Sequence, residues 1–347
     1  MKLDYVKNIM VKLLNIPSPT GMTEDVANAL KIELESMKID YYVTRKGAII
    51  ATIEGAETKK QKSLSAHIDT LGAMVKEIKS NGRLKLTQIG GYPWNSIEGA
   101  YVNIHSNNGN IFTGTVLLNK ASSHVFGDQV GKSERNDQTL EVRIDEKVKN
   151  KDDVLELGIG VGDFVSIEPK AFITDSGFIK SRHLDDKACV ASLLGVLKKI
   201  KDDNIKIPYT TNFIFSNYEE VGHGLSSSLP TNTYELVAID MAAPGEGQTS
   251  DEQKVTICAK DSSGPFDLKL RKHLENLAAS KDIPYVVDIY PYYGSDAAAA
   301  LRSGSEIRHG LIGPGVDASH SFERTHEDGV NATTMLAFEY VMSTIVE

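Results

Sequence analysis

Two cysteines, Cys189 and Cys258, are all that the 347 residues hold. That is too few for a disulfide framework or a thiolate zinc site. Cys189 lies in an apolar helical run, where a free thiol packs as a small hydrophobe. An excess of positive charge is also missing. The formal net charge is −9, with acidic and basic residues interspersed and no basic stripe, which argues against a nucleic-acid partner. No uninterrupted run of about 18 apolar residues occurs, so no membrane span is expected. The opening Met-Lys-Leu-Asp-Tyr-Val-Lys has no apolar core of the signal-peptide kind. The cytoplasm is therefore the expected location. Internal repeats and low-complexity tracts are absent, so neither a solenoid nor a disordered tail is indicated.

What is present is ordinary for a folded enzyme-sized chain, 41% hydrophobic and 24% charged. Val6, Ile9, Met10, Leu13 and Leu14 fall at helical spacing over 3–14, and Pro17 and Pro19 close that segment. A second helix is expected from Thr23, with Val26, Leu30, Leu34 and Met37 on one face. Residues 40–53 read as two strands around Lys46-Gly47, and a third strand ends at His67. Beyond Gly72 the character changes. Strands at 73–79 and 83–89 flank Ser80-Asn81-Gly82, and strands at 101–105 and 111–118 flank Asn107-Asn108-Gly109, both hairpin signals. Further strands are expected at 139–144, 163–167 and 171–179, a short helix at 152–157, and a long loop at 122–138.

From Asp186 helices and strands alternate again. The last helix is striped by Met335, Phe338, Met342 and Ile345. The sequence thus predicts an α/β domain made of 1–71 and 181–347. It is interrupted by an inserted β domain, a small barrel or sandwich, over 72–180.

The chemistry-bearing residues cluster at the ends of these segments. The strand leading to Ala66-His67-Ile68-Asp69 places an imidazole and a carboxylate at its carboxyl end, where open α/β sheets bind ligands. A neutral imidazole there can hold a divalent metal, and a carboxylate two residues on can fix its tautomer. Asp185-Asp186 open a helix, Glu219-Glu220 follow a strand, Asp240 ends another, and His320 lies in a Gly/Pro-rich loop. Taken singly, each has a structural reading: helix cap, solvated pair, Asx turn, loop histidine. Together they offer imidazoles and carboxylates for two divalent ions sharing one carboxylate.

These residues, with Leu184-Asp185-Asp186-Lys187, Glu219-Glu220-Val221-Gly222, Gly294-Ser295-Asp296-Ala297 and Ser319-His320, resemble in order the tetrahedral aminopeptidases. That family is also called glutamyl or deblocking aminopeptidases, metallopeptidase family forty-two. The 118 positions between His67 and Asp185 leave room for an insertion that related dizinc exopeptidases lack. The resemblance implies a phosphorylase/hydrolase-like three-layer α/β/α fold with an inserted β-barrel-like domain. It also implies two Zn2+ or Co2+ ions, short peptides as substrates and a homo-oligomer, often a dodecamer, with the insert contributing contacts. Carried over residue by residue, Asp185 bridges the metals. His67 and Asp240 complete one site, and Glu220 and His320 the other. Asp69 orients His67, and Glu219 takes the proton from the bridging water. The chain departs from the family pattern at Val221-Gly222-His223-Gly224, at Met241–Gly245 and over 118–139, so substrate preference is not carried over. Lys120, Arg182 and Arg308 are cations expected mainly to be solvated. Alternative readings are a metal-dependent amidase or deacylase on non-peptide amides, a glucanase, and a non-catalytic assembly protein.

Overall fold

The computed structural model describes residues 2–347. The chain opens with α1 (Leu3–Leu14) and α2 (Glu24–Ser36), whose helically spaced apolar residues are buried. β1 (Tyr41–Val43) and β2 (Ile49–Ile53) follow around the Lys46-Gly47 turn, and β3 (Glu57–His67) runs into the interior.

Six strands come next: β4 (Gly72–Ile78), β5 (Leu84–Ile89), β6 (Tyr101–His105), β7 (Ile111–Leu118), β8 (Leu140–Ile144) and β9 (Phe164–Ile167). They close into a barrel in the order β4-β5-β8-β7-β6-β9. Alternate residues fill it, among them Val102, Ile104, Val116, Leu118, Val142 and Val165, and this core is separate from those of the sheet. The 122–138 stretch, expected as a loop, holds two single turns, α3 (Ser123–Phe126) and α4 (Gln129–Lys132), with no buried residue. A turn with no apolar face leaves no period in the sequence. α5 (Lys151–Glu156) is closed by a reciprocal capping box between Asn150 and Asp153.

The strand expected at 171–179 is instead a hairpin of β10 (Phe172–Ile173) and β11 (Phe178–Ser181). Gly177, at φ 87°, turns it. The chain then continues through α6 (Leu184–Asp202), β12 (Tyr209–Ser216), β13 (Thr233–Ile239), β14 (Val255–Asp261), β15 (Gly264–Pro265), α7 (Leu268–Ser280) and β16 (Tyr285–Ile289). It ends with α8 (Asp296–Arg302), β17 (Arg308–Pro314), β18 (Glu323–His326) and α9 (Glu327–Met342). No helix of the described residues is long and apolar enough to cross a membrane.

Among the described residues, nine strands form the main sheet, in the order β1-β2-β12-β3-β13-β17-β14-β15 with β16 on β14. Its centre, β12-β3-β13-β17, is parallel, and such strands are buried on both faces. Leu64, Ala66, Phe213, Phe215, Val237 and Ile239 point to a core shared with α1, α2, α6, α7 and α9. Their neighbours Ile214, Leu236 and Ala238 point to a smaller core shared with α8. The result is a three-layer α/β/α sandwich with one thick and one thin helical layer.

One expectation differs at α9, and one strand is not foreseen. The buried face of α9 is Val330, Ala337, Tyr340 and Val341 with Thr333 and Thr334, while Met335, Phe338 and Met342 are only partly buried and Ile345 lies past the helix end. The threonine hydroxyls hide this face from a hydropathy reading. They donate to the carbonyls of Gly329 and Val330, 2.8 and 2.7 Å away, and so lose their cost in the core. β18 is too polar to register as a strand, yet it pairs with β11 and buries Glu323.

Candidate metal centre

The geometry follows from strand order. β12, β3 and β13 are parallel neighbours, so their carboxyl ends lie side by side. His67 ends β3 opposite Ser216, the last residue of β12. Glu219 and Glu220 follow in the loop after β12, and Asp240 follows β13. The chain returns from the barrel into α6 with Asp185 against the same edge, and the loop between β17 and β18 brings His320.

Asp185 is the hub. One carboxylate oxygen, Oδ1, lies 3.0 Å from His67 Nε2, and the other, Oδ2, lies 3.3 Å from His320 Nε2. Each imidazole has its other nitrogen engaged: His67 Nδ1 is 2.8 Å from the Asp69 carbonyl and His320 Nδ1 is 2.5 Å from that of Gly91. In the neutral imidazoles, Nδ1–H donation would leave both Nε2 lone pairs for a ligand. Glu220 Oε2 stands 3.7 Å from His320 Nε2, and Glu219 Oε2 stands 3.8 Å from His67 Nε2.

Two triads result, His67/Asp185/Asp240 and Asp185/Glu220/His320, each with its ligand atoms within 4.8 Å of one another. Atoms bound to one zinc at about 2.0–2.2 Å sit up to about 4 Å apart, so a small contraction completes either site. Buried Glu220 Oε1 and Asp186 Oδ1 have no hydrogen-bond partner, and an orphaned buried carboxylate oxygen asks for a cation. The donor set is nitrogen and oxygen only, which suits divalent zinc, cobalt or manganese more than soft ions. The residues present therefore fit a pair of divalent ions.

The electrostatics agree. Burial would depress both imidazoles, but the Asp185 contact and the neighbouring carboxylates outweigh it. They raise His67 well above its usual value and His320 to about 11. Burial, then the charge of Asp185, pushes the Asp240 carboxyl up to about 7. Burial likewise raises Glu219 and Glu220, with nearby carboxylates adding to it. Asp185 goes the other way: burial opposes ionisation, yet the two imidazoles hold it below the usual range. So many acidic groups packed together favour cations in the middle.

Asp69 sits in the centre, but its carboxylate is 3.7 Å from His67 Nδ1, and the imidazole is held by the Asp69 main-chain carbonyl. The carboxylate instead accepts from Thr20 Oγ1 at 2.7 Å and from the backbone N–H groups of Glu219 and Glu220 at 3.2 and 3.3 Å. It fixes the glutamate loop.

Two residues escape a sequence reading. Glu323 is buried and accepts from the backbone N–H of Asp185 at 3.1 Å and of His320 at 3.0 Å, so one carboxylate seats two candidate ligands. Its strand is polar and gives no apolar signal. Arg182 is also buried rather than solvated. It donates to the carbonyls of Ser96 in the barrel, 2.7 Å away, and Ser321, 3.4 Å away, beside His320. Of the other two cations, Arg308 pairs with Asp267 at 2.8 Å and Lys120 donates to Gln129. A cavity of about 700 Å³ opens over the cluster, walled beyond it by Met241, Pro244, Tyr290 and Tyr293.

Residues 47–336 match the family model described as M42 glutamyl aminopeptidase. The chain is 53% identical over 338 residues to the Bacillus subtilis protein named "Putative aminopeptidase YhfE", with 97% of each covered. Among solved structures it is similar to aminopeptidase APDkam598 from the archaeon Desulfurococcus kamchatkensis. The TM-score is 0.88 at 21% identity, over 98% of this chain and 95% of that one. It is also similar to a Pyrococcus horikoshii TET1 peptidase that can assemble into a tetrahedron or a large octahedral shell. Here the TM-score is 0.86 at 22% identity, over 98% and 100%. At these identities the two structures speak for the fold.

Proposed function

The chain belongs to the M42 glutamyl aminopeptidase family and is a peptide hydrolase, and from that premise we propose how its residues remove N-terminal residues from short peptides. The observation that carries the reading is Asp185, whose two oxygens face two different imidazoles. His67, Asp185 and Asp240 would hold one divalent ion, and Asp185, Glu220 and His320 a second, zinc or cobalt in each. Bound there, such ions supply Lewis-acid polarisation of a carbonyl and a lowered water pKa.

Glu219 is left over from that set. Its carboxylate borders the cavity and stays 3.8 Å from His67. It takes the proton from the attacking water and returns it to the leaving amine. Asp69 holds the main chain of Glu219 and Glu220, and Glu323 holds that of Asp185 and His320, so neither arm of the site reorganises during turnover.

The 72–180 segment is proposed as an oligomerisation and access module within a homo-oligomer, with a dodecamer as the expected form. The Pyrococcus horikoshii assembly supports this. Two free, buried cysteines fit a reducing compartment, and the cytoplasm is the proposed location.

The test is a panel of aminoacyl reporter substrates, free and N-acylated, assayed after chelation and after return of zinc or cobalt. Cleavage of the free-amine reporters, lost on chelation and regained with metal, is expected. Cleavage confined to the N-acylated reporters, or cleavage that survives chelation, overturns the proposal. Sedimentation in the same buffer should give a mass several times 37.9 kDa.

A further inference from the structure

The loop that carries Glu219 and Glu220 is closed on itself. The Tyr218 carbonyl accepts from the backbone N–H groups of His223 and Gly224, both at 2.9 Å, and Gly222 N–H reaches the Glu219 carbonyl at 2.7 Å. Such a ring keeps its shape but says nothing about where the ring sits. Asp69 supports its middle. Its two feet rest on Asp296, the first residue of α8, which lies in the thin helical layer and is 3% exposed. Asp296 Oδ2 accepts from Ser216 Oγ at 2.5 Å, where β12 enters the loop. Asp296 Oδ1 accepts from Leu225 N–H at 3.1 Å, where the chain leaves it. The fit is close: a Cβ on Gly224 would stand 2.0 Å from Asp296 Oδ1. No cation pairs with this buried carboxylate among the described residues; Lys46 instead donates to the Gly224 carbonyl at 2.5 Å. A buried carboxylate that accepts from a hydroxyl and an amide at opposite ends of one loop is poor stabilisation but good registration.

We infer that Asp296 is a positioning residue: by clamping both feet of the 217–224 loop it sets where the Glu219 carboxylate stands over the cavity. The inference rests on Glu219 being the proton carrier. A displacement of about 1 Å at a reacting group is enough to slow a reaction about 10²-fold. Asp296→Ala is therefore expected to lower kcat by about 10- to 100-fold. KM should move less than about twofold, because Asp296 is not itself among the residues that line the cavity.

The conservative Asp296→Asn keeps an acceptor for Leu225 N–H and lets Ser216 Oγ turn to accept, so it should restore most of kcat. Gly224→Ala attacks the same joint from the loop side, its methyl pressing on Asp296 Oδ1 with Asp296 itself left in place. It should reproduce the kcat loss even where Asp296→Ala folds poorly.

The deciding measurement is a double-mutant cycle with Glu219→Gln, each protein assayed with saturating zinc and its metal content determined. If Asp296 acts through Glu219, Asp296→Ala costs nothing further in the Glu219→Gln background. An equal fold-loss in both backgrounds overturns the inference, as does unchanged kcat in Asp296→Ala or a loss seen only in KM. Full turnover by Glu219→Gln alone would instead overturn the proton-carrier reading, so the two failures are told apart.

Discussion

At the level of single residues, the proposed reading separates holding a cation from moving a proton. Glu219 and Glu220 are neighbours to which that reading gives opposite duties. Glu220 faces His320 and Asp185 across one triad, and Glu219 turns toward His67 and the cavity. Glu219→Gln keeps the size and hydrogen-bonding reach of the side chain and removes its basicity. It should retain both metals by elemental analysis while kcat falls by about 10²- to 10⁴-fold. Unchanged turnover would remove Glu219 from the proton path. Asp185→Ala should behave in the opposite order. It deletes a ligand from both triads at once, so metal content should fall before any kinetic comparison is possible. Full occupancy in that variant would end the shared-ligand role.

At the level of elements, the sheet has a chemical end and a structural end, and one strand serves both. β3 delivers His67 at its carboxyl end. At its midpoint, Lys62 is completely buried and caps the last turn of α9 by donating to the carbonyls of Tyr340 at 2.6 Å and Ser343 at 2.9 Å. Burial lowers this ammonium to about 7, and the charge of Glu235 only partly opposes that. The folded value lies below the unfolded one, so between about pH 7 and 10.4 the unfolded chain binds more protons. Stability from this group therefore rises with pH through that window. The thermal midpoint of Lys62→Met should show a flatter rise from pH 7 to 9 than the parent. Parallel curves would show that Lys62 does not titrate in the fold.

How far the sequence reveals these elements depends on where their partners lie. Helices α1 and α2 and the barrel hairpins are legible because each carries its period or turn within a dozen residues. The convergence of His67, Asp185, Glu220, Asp240 and His320 is legible because each sits at the end of an apolar segment or in an adjoining loop. Glu323 is not: its partner, the Asp185 amide, is 138 positions away and its strand has no apolar alternation. Arg182 reads as a surface cation because nothing local shows that the barrel and the His320 loop close over it. The interior face of α9 is hidden by threonines whose hydroxyls are satisfied within the helix.

At the level of the whole molecule, the proposed metal centre would act as a cross-link. Its candidate ligands come from β3, from the return of the chain out of the barrel, from the ends of β12 and β13, and from the loop before β18. They span most of the chain, and no one segment can keep them together. Without cations, Asp185, Glu219, Glu220 and Asp240 crowd within one buried cluster, and burial with mutual repulsion raises three of the four. Filling the site relieves that repulsion in the native state and does much less for the unfolded chain, so the ions act as ligands of the folded form. One site at a free concentration a hundred times its dissociation constant contributes about 2.7 kcal/mol. In a chain of this size that corresponds to several degrees in thermal midpoint. Chelation should therefore lower the midpoint by about 3–8 °C at fixed protein concentration, and zinc should restore it. Sedimentation of the chelated protein decides what the shift means. With the assembly mass unchanged, the loss belongs to the cross-link within each subunit. A midpoint indifferent to chelator, in protein shown by elemental analysis to have lost its metal, would mean that the cluster holds its shape without cations.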